Sequence, residues 1–148
     1  MLTIHAARLL RRTLPDAPTA DGAVLIDGDR IVAIGSRDEL VAAYPEVRVR
    51  RWAGTLGPAL VHDGPLPAAP TPRERMHALF RGGAAAVLAA HVADPELRAA
   101  ATRNGVVMLD TARSPALVEG GRADLAVFAE DGTCLATVVA GRLVHRRA

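Results

Sequence analysis

The chain is 148 residues long, half of them apolar and 23% charged, with a formal net charge of +2. That is enough for one domain with a real core, and too apolar for a disordered chain. All 18 basic residues are arginine, which excludes a Walker phosphate loop, a Schiff-base lysine and a lysine carbamate bridging two metals.

Aromatic residues make up only 3% of the chain, so the core is expected to be small and aliphatic. The single cysteine, Cys134, excludes an intrachain disulfide and a thiolate zinc cluster. No apolar run approaches the ~20 residues of a membrane span. The start of the sequence, Met1 to His5, lacks the charged-then-apolar order of a signal peptide. A soluble, cytoplasmic protein is the expectation.

Leu2 to Leu10 is an apolar stretch suited to a strand, followed by a proline-containing loop from Arg11 to Ala20. Ala23–Ile26 and Ile31–Ile34 then flank Asp27-Gly28-Asp29-Arg30. Two β-branched runs around Asp-Gly predict a tight hairpin, since glycine supplies the positive φ that such turns need. Ser36 with Glu39 three residues on is a capping-box pattern. It opens a short helix over Arg37–Ala43, which Pro45 stops. Val47 to Trp52 alternates as a strand. From Ala53 to Pro72 proline and glycine recur, and this stretch reads as a junction between two parts.

Pro72 to Arg81 places Met76, Leu79 and Phe80 on one helical face, and Gly82-Gly83 ends that helix. Ala84 to Val92 is a continuous apolar run, read as a buried strand. Pro95, Glu96 and Leu97 start another helix, which ends at Asn104-Gly105. Gly105 to Leu109 reads as a buried strand, so the middle of the chain is an α/β unit. The end is β again, with strands over Ala123–Phe128, Cys134–Val139 and Arg142–His145. The fold class is therefore mixed α/β.

The two ends together carry an ordered pair of motifs. The first runs from Asp21-Gly22 through Ile31-Val32-Ala33-Ile34-Gly35 and on to Leu56-Gly57-Pro58-Ala59-Leu60-Val61. The second is Glu119-Gly120-Gly121-Arg122-Ala123-Asp124-Leu125, followed by Val138-Val139-Ala140-Gly141-Arg142. The pair resembles the metal-dependent amidohydrolase family, in particular its imidazolonepropionase-like and aminodeoxyfutalosine-deaminase-like branch. The resemblance implies that residues 1–61 and 116–148 fold together as a small composite β-sandwich, with residues 62–115 a short α/β insert. In that family the sandwich stands beside a (β/α)8 barrel. Such a barrel takes about 250 residues, and one βαβ unit takes about 30. Residues 62–115 therefore hold one or two barrel units.

In the family, the first barrel strand ends in a His-x-His pair that holds a divalent ion. Those two positions fall here on Gly64 and Leu66, which have no coordinating group. The remaining site candidates are His62, Asp63, His91 and Asp110. His62 and Asp63 lie near the lost metal position, as displaced ligands or an acid–base pair; the plainer reading is a solvated proline-rich loop. His91 closes the Ala84–Val92 run, and Asp110 follows the Val106–Leu109 strand; strand ends in α/β layers carry chemistry. The plainer readings are a histidine capping an element and an aspartate capping a turn.

Arg48, Arg50 and Arg51 raise the question of nucleic acid. Arg48 and Arg50 share a strand face with Trp52 while Val47 and Val49 face the other way. That is the pattern of a half-solvated strand, without the aromatic interleaving of a base-stacking surface. Cys134 reads as a buried apolar residue.

Two functional readings follow. The first is an amidohydrolase-like protein without metal-dependent catalysis, acting as a binding or assembly module. It needs no cofactor, and its partner is a second copy, another protein or a small molecule, with neither nucleic acid nor membrane. The alternative is a hydrolase of non-peptide C–N bonds, with a reorganised site built from His62, Asp63, His91 and Asp110 and a divalent metal. A remnant with no retained role is the third possibility, against which the capping box, hairpin and strand alternation remain mutually consistent.

Overall fold

The computed structural model describes residues 1–147. It is mixed α/β, as the sequence predicts, with two sheets and three α-helices. Strand β1 spans Leu2–Leu10 and pairs with the short β2, Thr19–Ala20. β3 (Gly22–Asp27) and β4 (Arg30–Ser36) form the predicted hairpin, with a two-residue turn at Gly28-Asp29 in which Gly28 has φ +58°. Glycine at the first central position is what a type II′ turn requires. Helix α1, Arg37–Ala43, starts on Ser36, whose hydroxyl accepts from the Glu39 amide at 3.1 Å.

The next strand differs from expectation. β5 runs over Arg48–Pro58, well past the predicted end at Trp52. Its first part pairs in parallel with β1, and residues 55–58 pair antiparallel with β9, Leu125–Phe128. The expected junction thus begins inside a long strand. Gly54 reads as a breaker, yet a Cβ there would strike the Phe128 carbonyl. The glycine is a condition for the close approach of β9.

β10 (Cys134–Val139) and β11 (Arg142–Arg146) complete the large sheet, in the order β11-β10-β9-β5-β1-β3-β4, with β2 on β1. All strands from the two chain ends therefore belong to one eight-stranded, hydrogen-bonded sheet. It curls. One buried cluster joins Val24, Ile26, Ile31 and Ile34 of the hairpin to Leu125, Val127, Ala136 and Val138 of the last strands. The free side of β4 is bonded by the segment before β9: Gly120 N–H donates to Ile31 O (2.8 Å), Ile31 N–H to Gly121 O (2.8 Å) and Ala123 N–H to Asp29 O (2.7 Å). On the other face of β1 and β3, α1 inserts Leu40 among Ile4, Ala6, Ala23 and Leu25.

Between these ends, β6 (Leu60–His62), β7 (Ala84–Leu88) and β8 (Val107–Leu109) form a separate parallel sheet in that order. Helix α2 (Pro72–Arg81) links β6 to β7, and α3 (Pro95–Arg103) links β7 to β8. Thr71 and Asp94 cap the two helices, and each is followed by proline at the first helical position. The predicted strand over Ala84–Val92 stops at Leu88, and Ala89–Val92 forms a 3₁₀ turn. Phe80, Met76 and Leu79 pack with Val87, Ala100 and Ala101, and also with Ala126 and Val139 of the large sheet. Helix α2 is thereby packed against both sheets. No helix among the described residues is long and apolar enough to cross a membrane.

Candidate functional site

Three parallel strands in register place their carboxyl ends along one edge. His62 ends β6, His91 lies in the 3₁₀ turn after β7, and Asp110 follows β8. The topology thus gathers three of the four candidates on one edge of the small sheet. The side chains do not converge: no group of three His, Cys, Asp or Glu that would hold a metal occurs among the described residues. His62 is half-buried, and its Nε2 donates to the Pro65 carbonyl at 2.8 Å. That bond fixes the imidazole on its own loop. Asp63 and Asp110 are exposed, and His91 is half-buried.

The two positions where the resemblance expects imidazoles have been absorbed into the structure. Gly64 has φ +112°, a conformation that L side chains rarely adopt. Leu66 is buried at 5% exposure in the core of the helices, beside Met76.

Two polar networks lie elsewhere. In the first, Asp124 Oδ1 accepts from Arg122 Nε (3.0 Å) and from the Ala140 amide (2.8 Å), while Arg122 also donates to the Gly105 carbonyl. The Asp124 carbonyl takes the Ala59 amide at 3.0 Å. One residue thus ties the β5–β6 corner to the β10–β11 turn. Burial pushes the Asp124 carboxyl above its ordinary range, against the opposing pull of Ala140 and Arg122. The sequence held this signal in Gly121-Arg122-Ala123-Asp124, which entered the resemblance without a role for the aspartate.

The second network centres on His5, buried at 2% exposure inside the large sheet. The Trp52 indole donates to His5 Nδ1 at 3.2 Å, and the rings lie nearly parallel with centroids 6.3 Å apart. Burial first, then the charges of Arg50 and Arg48, bring the His5 imidazole down to about 4. The ring is therefore neutral at pH 7, with Nδ1 free to accept. Arg48, Arg50 and Trp52 do share a face, and Arg146 caps Trp52 with its guanidinium carbon 5.5 Å from the ring centroid. A lone histidine in the apolar Leu2–Leu10 stretch was the signal for this network.

Cys134 is buried, as read from the sequence, and burial raises its thiol. Its Sγ lies 3.3 Å from Thr137 Oγ1, which donates to the Phe80 carbonyl at 2.6 Å.

Residues 22–46 match the imidazolonepropionase-like composite domain of bacteria. The segment is the hairpin β3–β4 with α1. Among solved structures, E. coli guanine deaminase is similar at 16% identity and a TM-score of 0.56, over 73% of this chain and 35% of that one. Guanine deaminase from Bradyrhizobium japonicum is similar at 14% identity and 0.55, over 72% and 34%. An adenosine deaminase from Xanthomonas campestris with bound zinc is similar at 17% identity and 0.52, over 72% and 33%. At such identities the likeness is one of fold. The chain covers no more than 35% of any of these structures' lengths. No curated protein matches it. The family match falls on the first of the two end motifs that carry the resemblance, and the deaminases share the fold over part of their length.

Proposed function

We propose that this chain, with an amidohydrolase-like composite fold and a three-stranded α/β insert, serves as a non-catalytic binding or assembly module. The observation that carries this reading is the fate of the two imidazole positions. Gly64 offers no side chain, and Leu66 points into the core of the helices. A catalytic metal takes three or more ligands from converging elements, and His62, His91 and Asp110 stand along an edge instead. The small sheet also supports a binding role. β6 and β8 each have one strand neighbour, and open strand edges invite pairing with another chain. A second copy of the chain is the simplest cover.

The test is metal loading with a hydrodynamic measurement. Purified protein incubated with zinc and then dialysed is expected to retain less than one ion per chain, and to sediment as a dimer. Zinc held at one per chain, lost in His91→Ala together with hydrolysis of a C–N bond, overturns the reading. That outcome would establish the rival reading, a hydrolase of non-peptide C–N bonds. The gathering of His62, His91 and Asp110 at the carboxyl edge of one parallel sheet is what favours the rival.

A further inference from the structure

The small sheet has a second face, away from α2 and α3. Val61, Ala86 and Val107 form one register row across its three strands, and they floor a cavity of about 320 Å3. The segment 113–118, which leads back to the large sheet, walls the other side with Arg113 and Ser114, and Arg122 and Asp124 close one end. The cavity takes Leu60 and Val61 from β6 and Val107 from β8, and His62, His91 and Asp110 are not among its lining residues.

Its charges do not cancel. Asp124 is matched by Arg122 at 3.0 Å. Arg113 has no carboxylate within ion-pair distance among the described residues. Two guanidiniums thus serve one carboxylate at the rim of an apolar floor, Arg122 by contact and Arg113 through its charge alone, and Ser114 stands next to Arg113 in the lining. A guanidinium presents its N–H groups as a fork that matches the two oxygens of a carboxylate. The apolar floor disfavours a doubly charged phosphate, which would shed more hydration there. The volume is at the small end of the range for ligand sites.

We infer that this cavity binds a small monocarboxylate, its acid group on Arg113 and Ser114 and its short aliphatic body on Val61, Ala86 and Val107. The inference deepens the binding reading above, yet the two fail separately. Loss of this site leaves the zinc measurement untouched, and zinc-dependent turnover leaves the cavity in place.

Titration of ¹⁵N-labelled protein with sodium butyrate, followed by amide NMR, tests it. Saturable shifts are expected at Val61, Ala86, Val107 and Ser114. Butyramide, the same body without the charge, is expected to bind about tenfold more weakly, as is butyrate to Arg113→Ala. Arg113 is exposed, so its removal leaves the fold intact, and Arg113→Lys should restore part of the affinity. Non-saturating shifts that sodium chloride reproduces at equal ionic strength overturn the inference. Equal affinity of butyrate for the wild type and Arg113→Ala overturns it as well.

Discussion

The sheet from the chain ends closes on itself, whereas the sheet between them stops at two strands with one neighbour each. In the first, residues 120–123 bond the free side of β4, and the curl buries the hairpin against β9 and β10. In the second, the helices cover one face and β6 and β8 are left open on one side. The difference separates what holds the molecule together from what is left for a partner. The two regions are also packed into one core: Phe80 and Val87 of the insert lie in the same buried cluster as Ala126 and Val139 of the large sheet.

The strongest way to break this comparison is at Phe80, which is 1% exposed and belongs to the cluster that both sheets share. Phe80→Ala should cost ~3–5 kcal/mol, the usual range for a buried phenylalanine. Denaturant unfolding monitored by Trp52 emission and by far-UV circular dichroism should still show one transition. Two separated transitions in the wild-type protein would mean that the sheets are not coupled through this cluster.

A second probe acts on the large sheet alone. The His5 value of about 4 lies below the ordinary 6.5, so the unfolded chain takes up the proton first as pH falls. Stability is full above pH 6.5, declines between 6.5 and about 4, and levels off below that. The loss approaches ~3 kcal/mol. Protonation at Nδ1 would also abolish the acceptor for the Trp52 indole. Urea midpoints should therefore fall over this window while the Trp52 fluorescence of the folded chain changes only near pH 4, and His5→Gln, which keeps an acceptor, should flatten both. A midpoint independent of pH from 7 to 4 would show that His5 is not buried neutral.

Asp124 sits at the seam between the two regions. Asp124→Ala removes the acceptor for the Ala140 amide and the partner of Arg122, at a cost of ~1.5–3 kcal/mol for charge-assisted bonds. Hydrogen exchange locates the damage: faster exchange is expected at Ala59 and Ala140, with the α1 amides unchanged. Uniform acceleration across the molecule would put Asp124 in the global core instead of the seam.

The sequence shows the local elements best where one signal decides them. Hairpin turn, capping serine and Pro-initiated helices all fall where Gly28, Ser36, Pro72 and Pro95 put them. The pairing of the two end motifs is also legible, and its physical basis is plain: Asp29 and Ile31 of one are hydrogen-bonded to Gly120, Gly121 and Ala123 of the other. What escapes is set by tertiary packing. Gly54 looks like a breaker until β9 lies against it, and Ala89–Val92 is as apolar as the strand before it yet turns. The His5–Trp52 stack joins residues of β1 and β5 that only sheet register brings side by side. The candidate edge was readable residue by residue. The spacing that keeps His62, His91 and Asp110 from meeting is a property of the sheet.

The smallest effect tests the curl itself. Arg146 is on β11 and Trp52 on β5, and β9 and β10 lie between them in the pairing order. In a flat sheet two intervening strands, each spaced by about 4.8 Å from the next, would hold them well apart. The guanidinium nonetheless comes within 5.5 Å of the indole centroid. Arg146→Gln should cost only ~0.5–1 kcal/mol, as for an exposed cation–π pair. The informative quantity is the coupling between Arg146→Gln and Trp52→Leu in a double-mutant cycle of urea midpoints. A coupling of that size places β11 over β5 in solution. Strict additivity would mean that the last strand does not fold back, and with it would go the claim that the chain ends close on one another.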